Sequence, residues 1–396
     1  MNLRALAFCA GILALLCSAC VPPPPPPGPP PIPGPMSITC PGLDAFKAKV
    51  SVLSLPFDLY GPNHAPPAPA GPVDPNSLVA GDLWSAFCAA PPALQRDLVS
   101  LDNVFVNPCA DVNSCGFQSP PVCDLKHCHI PAPQVAANSW GFREWRNIPT
   151  KGRRYIAISA GLWPNGGHAP DLDAFETNLI SQLLFWPSGA GVPQPTYLSN
   201  PSIANHPELT VMAALAHELG HVRWYDAFVQ VPGGSQNLRR LCNGAFFSSW
   251  QGNVPAPPHW SDFGLRAHRH KRGLVQIQEI DQAIVSNNLP TAGVLLDRGA
   301  NGELGIFAPS APWASFFASV SPQEDFVESY KLHMLTQAQP NLSLPIQIPY
   351  ASTEDVPTAL HNGLKPELKD KIACVAGLPA FAGRAPASDG TINPPR

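Results

Sequence analysis

The chain has 396 residues, of which 45% are hydrophobic and only 13% are charged, and its formal net charge is -4. A chain of this length can form one large domain or two ordinary ones, with enough apolar residues for a sizeable core. So weak a negative charge provides no field that would attract nucleic acid, and we expect no nucleic-acid partner.

Residues 1–20 have the pattern of an export signal. Arg4 gives a positively charged start, and residues 5–16 form an apolar run too short to span a bilayer permanently. The small residues before Cys20 resemble the end of a bacterial lipoprotein signal, in which the cysteine becomes lipidated. Ordinary signal cleavage is the alternative, because Cys17 stands where such signals usually carry Leu. We therefore predict export to the cell envelope with a lipid anchor at Cys20, on the periplasmic or outer surface, or else secretion.

Residues 21–38 are predicted to be a linker. Val21 to Pro35 is almost wholly proline and glycine, which favours an extended polyproline conformation with no apolar surface to bury. If Cys20 is lipidated, this spacer would hold the folded part away from the membrane. The folded domain is then expected over residues 39–396.

Periodicity and turn residues predict the elements that follow. Residues 43–53 and 77–101 are partly helical in pattern, and the second stretch is interrupted at Pro91-Pro92. Residues 103–106 and 154–159 are β-branched and aromatic runs, which indicates strands. Residues 171–186 have the apolar spacing of an amphipathic helix. This order of strands followed by helices predicts an α+β fold.

The cysteines indicate a disulfide-stabilised protein. Three of the eleven belong to the signal and the lipidation site, and an exported chain favours oxidation of the other eight. The middle four of these are closely spaced, so a zinc knot is the alternative for that group. The eight disulfide candidates are Cys40, Cys88, Cys109, Cys115, Cys123, Cys128, Cys242 and Cys374.

The segment from Pro207 to Phe228 carries the motif with the clearest chemistry. It is predicted to be a helix, and almost every residue in its middle is apolar or small except His217, Glu218 and His221. Two histidines four residues apart share one helix face and can bind one zinc ion. Glu218 beside the first histidine is the expected general base, which takes a proton from a zinc-bound water.

A catalytic zinc needs a third protein ligand, and a second helix near Ser321 offers one. Pro322 suits its first position, and Glu324 and Glu328 are four residues apart on one face. We expect Glu324 to bind zinc and Glu328 to accept a hydrogen bond from a ligating histidine. The alternatives are that Glu328 is the ligand or that Glu324 only completes a capping box with Ser321. The less favoured ligands are Asp226, His259, Asp262, His268 and His270.

These two helices resemble those of the gluzincins, a group of zinc metallopeptidases, and the run from Glu324 to Tyr330 is most similar to the corresponding helix in the protease domain of anthrax lethal factor. The resemblance implies a zincin-like domain with one Zn²⁺ and a large insertion at about 230–318. It also implies that residues 154–159 are an edge strand for an extended substrate. Candidate donors to the oxyanion are Tyr225, His259, His268, His270, Tyr330, His333 and Tyr350.

The expected function is that of a zinc-dependent endopeptidase acting on proteins or peptides outside the cytoplasm. One alternative is an envelope-tethered binding or structural protein with a non-catalytic zinc site. Such a site would be closed by four protein ligands and would not need Glu218. A peptidoglycan-directed amidase is a further alternative.

Overall fold

The computed structural model describes residues 38–53, 69–108, 139–143, 154–184, 186–187, 191–224, 242, 245–246, 279–280, 282–298, 305–308, 310–319 and 322–378. The predicted export signal with Cys20, nearly all of the predicted linker and much of the predicted insertion lie outside these residues. No helix in the described part of the chain is long and apolar enough to cross a membrane.

Five strands form a mixed sheet in the order β2-β1-β3-β5-β4. The strands β1, β3 and β5 are parallel to one another, and β2 and β4 are antiparallel to their neighbours. The strands are β1 (Val50–Leu53), β2 (Pro69–Gly71), β3 (Asn103–Asn107), β4 (Ser139–Arg143) and β5 (Arg154–Ser159).

The strands predicted at 103–106 and 154–159 are confirmed as β3 and β5, but the prediction that 154–159 is an edge strand is wrong. β5 pairs with β3 on one side and with β4 on the other. The edge of the sheet next to β5 is β4. Composition marks a strand without identifying its neighbours, because pairing is decided by residues far away in the sequence.

Both faces of the parallel strands β1, β3 and β5 are buried, which is typical of parallel strands. Alternate residues of β3 and β5 belong to the large core of the protein, and these are Val104, Val106, Ile156 and Ile158. The residues between them form a separate cluster on the opposite face with one residue of β1, and this cluster consists of Leu53, Phe105, Tyr155 and Ala157.

Helices cover one face of this sheet and form the rest of the core. They are α1 (Leu43–Lys47), α2 (Leu78–Ala89), α3 (Pro92–Val99), α4 (Leu172–Leu184), α5 (Pro207–Trp224), α6 (Leu289–Asp297), α7 (Pro322–Ala338), α8 (Val356–His361) and α9 (Pro366–Gly377). A second, antiparallel sheet has the order β6-β7-β8, with strands β6 (Thr196–Tyr197), β7 (Pro345–Gln347) and β8 (Thr353–Asp355).

Several predicted helices are confirmed, and one is corrected. The predicted break at Pro91-Pro92 separates α2 from α3, and the predicted helix at 171–186 is α4. Residues 43–53 are helical only over α1, because Val50, Ser51 and Val52 pair with β3 as a strand. Helices α2 and α3 lie between β2 and β3, so strands and helices alternate more than the predicted order implies. The fold is mixed α and β around a mixed sheet.

Helix α5 lies at the centre of the fold. It packs against β4 and β5 of the sheet and against α2 and α7. Fourteen of its eighteen residues are buried, including Glu218 and Arg223. A helix that is apolar on all sides belongs inside a core, and here its few polar groups are enclosed with it.

Two cysteine pairs lie at disulfide distance. Cys40 and Cys88 have Cα atoms 5.6 Å apart, and Cys242 and Cys374 have Cα atoms 5.4 Å apart. The first pair joins the segment before α1 to α2, and the second joins α9 to residue 242. The other four predicted disulfide cysteines, Cys109, Cys115, Cys123 and Cys128, lie outside the described residues.

Candidate metal centre

The candidate metal centre lies where α5 and α7 pack against each other. Gly220 lies where the two helices approach closely. A Cβ atom at this position would lie 3.1 Å from Cα of Val327 and 3.2 Å from its Cγ1. A residue with a side chain would require Val327 to shift, so glycine favours this close packing. The sequence His217-Glu-Leu-Gly-His221 therefore supplies both the polar groups and the space for the second helix.

The two histidines of α5 point their Nε2 atoms at each other. His217 and His221 are partly buried, and their Nε2 atoms are 3.3 Å apart. Two nitrogens that each lie about 2.0–2.1 Å from a tetrahedral zinc ion are separated by about 3.3 Å. The spacing of these atoms thus matches the one that a shared zinc requires.

Glu324 from α7 faces both histidines. Its Oε2 atom is 3.8 Å from Nε2 of His217, and its Oε1 atom is 3.8 Å from Nε2 of His221. These separations are slightly longer than those between ligands on one zinc ion. The predicted helix from Pro322 is confirmed, whereas Ser321, the other half of the capping box, lies outside the described residues.

Glu218 brings a second carboxylate to the same place. Its Oε1 atom is 3.9 Å from Nε2 of His217, and only 3% of its surface is exposed. By proximity alone, His217, Glu218 and His221 form a group able to hold a metal ion. Glu324 is a further carboxylate at this place, and its two oxygens face both histidines.

A hydrogen-bond partner orients each histidine through its other ring nitrogen. Nδ1 of His217 is 2.7 Å from Oε1 of Glu328, and Nδ1 of His221 is 2.8 Å from Nε2, the amide nitrogen, of Gln323. A carboxylate only accepts, so the Nδ1 proton of His217 is donated and its Nε2 lone pair is directed at the site. With its nitrogen toward His221, the Gln323 amide donates to Nδ1 of His221; exchanging the amide nitrogen and oxygen would let Nδ1 donate and give His221 the tautomer of His217.

Burial makes these groups receptive to a cation. Burial, followed by the nearby charge of Glu328, raises the pKa of Glu324 well above its ordinary value. Burial also lowers the pKa of His221 well below its ordinary value, and the neighbouring His217 adds to this effect. A neutral imidazole and a carboxylate that is costly to bury without a positive charge are a favourable pair of ligands for Zn²⁺.

The surroundings of Glu328 lower its pKa, whereas those of Glu324 raise the pKa of that carboxyl group. Burial alone would raise its pKa, but the charge of Lys331 and the hydrogen bond from His217 together lower it. Nζ of Lys331 is 2.7 Å from Oε2 of Glu328 and 3.0 Å from Oε1 of Glu176. Glu328 is therefore ionised, with His217 at one oxygen and the Lys331 ammonium group at the other.

Sequence reasoning missed Lys331, Glu176, Gln323 and Phe317. The ring of Phe317 stacks on that of His217, with centroids 5.7 Å apart and an angle of 15° between the planes. Gln323 and Lys331 could have been predicted from their positions in the sequence. Gln323 precedes Glu324, and Lys331 is one helical turn after Glu328. Glu176 and Phe317 had none, because only the fold brings them to α5 and α7.

Three of the predicted oxyanion donors lie in the described residues, and two of these, Tyr330 and His333, do not face the site. The hydroxyl of Tyr330 is buried and is 3.3 Å from Oδ2 of Asp97, to which it donates. His333 is nine residues after Glu324, which places it on the opposite side of α7. Tyr350 lies in an exposed turn beside α6. The remaining oxyanion and ligand candidates, Tyr225, Asp226, His259, Asp262, His268 and His270, lie outside the described residues.

The structure thus brings together four residues of the predicted site, His217, Glu218, His221 and Glu324, with Glu328 behind the first histidine. They converge from two helices of the buried core. Comparison of the chain with protein-family models, with curated proteins and with solved structures finds no match.

Proposed function

We propose that this protein is a zinc-dependent endopeptidase with a zincin-like catalytic domain of the gluzincin type. The observation that carries the proposal is the meeting of three donor groups: Nε2 of His217 and of His221, 3.3 Å apart, and the Glu324 carboxylate, 3.8 Å from both. Two imidazoles and one carboxylate are a common ligand set of catalytic zinc in peptidases.

His217, His221 and Glu324 would hold one Zn²⁺ ion. When bound there, zinc would polarise the scissile carbonyl group and lower the pKa of a water molecule toward neutrality. The hydrogen bonds of His217 with Glu328 and of His221 with Gln323 keep the two imidazoles oriented for this task.

Glu218 would be the general base. It is buried beside the first ligand, with its Oε1 atom 3.9 Å from Nε2 of His217. From there the carboxylate takes a proton from the attacking water and then gives it to the nitrogen of the leaving amine. Removal of this carboxylate should stop the reaction without removing a ligand.

The edge strand β4 supports an extended peptide as the substrate. β4 pairs with β5 along one side, and among the described strands none pairs with its other side. Helix α5, which carries the histidines, packs against β4. A peptide that added a strand to this edge would pass the zinc ligands with its backbone held by hydrogen bonds.

Zinc content and casein cleavage of four purified proteins test this function. We expect the wild-type protein to contain one zinc and to cleave casein, and Glu218→Ala to keep the zinc and lose cleavage. Glu324→Gln should lose zinc and cleavage together, whereas Glu328→Gln should retain partial zinc. Equal cleavage by Glu218→Ala and wild type would overturn the enzymatic function, and full zinc in Glu324→Gln would overturn the assigned ligand.

We also propose that the protein acts outside the cytoplasm, on proteins or peptides of that compartment. The two cysteine pairs at disulfide distance support this location, because disulfides persist in oxidising compartments. The mass of the mature N-terminus tests it. A chain that begins with a lipidated Cys20 would support the membrane anchor, an unmodified shortened chain would support secretion, and an intact Met1 would contradict export.

A further inference from the structure

A chain of buried charges leads from the candidate metal centre to helix α4. His217 on α5 contacts Glu328 on α7, which contacts Lys331, which contacts Glu176 on α4. The exposed fraction is 0% for Glu328 and 6% for both Lys331 and Glu176. Helix α4 carries none of the proposed zinc ligands. This row of contacting side chains therefore connects a separate part of the fold to the site.

The contacts of Glu328 divide between its two oxygens. Oε1 is 2.7 Å from Nδ1 of His217, and Oε2 is 2.7 Å from Nζ of Lys331. With a different donor at each oxygen, the carboxylate can neither rotate nor turn away without losing one of them. The ammonium group of Lys331 therefore determines where Oε1 lies.

Lys331 is itself held from the other side. Its Nζ atom donates to Oε1 of Glu176, 3.0 Å away, and both side chains are buried. A lysine side chain has four rotatable bonds, and a second carboxylate from another helix limits it to one position. Glu176 thus contributes to the position of Glu328 without touching it.

From these contacts we infer that Lys331, fixed by Glu176, is a positioning residue that holds Glu328 on Nδ1 of His217 and so directs the Nε2 lone pair of His217 at the metal. The inference rests on the proposed zinc function. It adds two residues that act through Glu328 and that would not touch zinc, water or substrate.

A purely structural role for the same ion pairs makes a different prediction. Removal of a buried cation leaves carboxylates without a partner, which destabilises a protein whether or not the cation positions a ligand. Stability alone therefore does not separate the two roles. The tautomer of His217 and the affinity for zinc distinguish the two roles, because only a positioning role changes them in a protein that remains folded.

The test uses Lys331→Met, the double variant Glu176→Gln/Lys331→Met and the control Lys365→Met. The double variant also removes the charge that Lys331→Met leaves on Glu176, so it is expected to fold if the single variant does not. Lys365 is a matched control because its exposed fraction is only 1% and it donates to the carbonyl oxygens of Ala308 and Ala311. Zinc affinity is measured by competition with a chelator.

We expect both variants at Lys331 to bind zinc at least about tenfold more weakly than wild type, as loss of a ligand's supporting partner commonly does, and Lys365→Met to bind it normally. Nitrogen NMR of the histidines in the metal-free proteins should show a single His217 tautomer, protonated at Nδ1, in wild type and in Lys365→Met. The variants at Lys331 should show a mixture of tautomers.

Wild-type zinc affinity and a wild-type His217 tautomer in the folded double variant would overturn the positioning role and leave the proposed function intact. Absence of zinc binding by the wild-type protein would instead overturn the proposed function. In that case the tautomer in the metal-free proteins still decides whether Lys331 holds Glu328 on His217.

Discussion

His217 donates through Nδ1 to Oε1 of Glu328, 2.7 Å away, and this hydrogen bond joins the two helices that carry the proposed zinc site. It links the residue that begins the motif on α5 to a carboxylate one turn beyond the proposed ligand Glu324 on α7. The bond is buried, so its partners are protected from competition by water.

Replacement of Glu328 by Gln should weaken zinc binding by roughly tenfold. The amide oxygen still accepts from Nδ1 of His217, but it carries no charge and no longer attracts Lys331. Glu328→Ala, which removes the acceptor, should have a larger effect. Competition with a chelator measures both, and an unchanged zinc affinity in Glu328→Ala would show that the hydrogen bond does not support the site.

Replacement of Gly220 by Val should move α7 away from α5 and weaken zinc binding by at least roughly tenfold, because any Cβ at position 220 meets the backbone of Val327. The matched control is Gly81→Ala in α2, where a Cβ meets nothing within 4 Å. This control should stabilise the protein by about 0.5–1 kcal/mol through helix propensity. Zinc affinity and thermal melting measure the two effects, and a Gly220→Val protein with normal zinc affinity contradicts the packing argument.

The buried Lys365 should make the stability of the protein depend on pH. Burial, with a smaller contribution from the charge of Lys371, lowers its pKa from 10.5 to about 8 despite the opposing charge of Glu354. The unfolded chain therefore binds more protons than the folded one between about pH 8 and pH 10.5, so this group makes the folded state more stable as pH rises through that range.

From pH 8 to pH 10.5, the unfolding free energy of wild type should therefore rise by about 3 kcal/mol relative to that of Lys365→Met. Denaturant titrations of the two proteins across this range measure it, and the comparison cancels other groups that titrate there. A constant difference would show that Lys365 has an ordinary pKa in the folded protein.

The Cys40–Cys88 pair should stabilise the fold when oxidised. It closes a loop with a sequence separation of 48, for which the entropy of the unfolded chain predicts about 4 kcal/mol. Replacement of both residues by Ser should lower the unfolding free energy by up to this amount. Denaturant titration of the oxidised proteins provides the measurement, and no loss of stability would indicate that the pair is not bonded.

The sequence predicts the local parts of this molecule well. Pro207 and Pro322 begin the two site helices as expected, and the break at Pro91-Pro92 separates α2 from α3. These features depend on residues close together in the chain, where proline and apolar periodicity act directly.

The parts that the sequence does not predict depend on distant residues. The edge position of β4 follows from strand pairing, and the contact of Lys331 with Glu176 joins residues 155 apart. Glu324 was expected near the histidines because a catalytic zinc needs a third ligand and because the two helices resemble those of gluzincins, since spacing alone does not bring α7 to α5. The close approach at Gly220 explains this contact physically.

X-ray absorption at the zinc edge of the purified protein tests the central claim most directly. We predict two nitrogen ligands and one carboxylate oxygen at about 2.0–2.2 Å, with a further oxygen that an added hydroxamate inhibitor replaces. Four protein ligands, or sulfur at about 2.3 Å from cysteines such as Cys109 and Cys115, would identify a structural zinc elsewhere in the chain and contradict a catalytic site on α5 and α7.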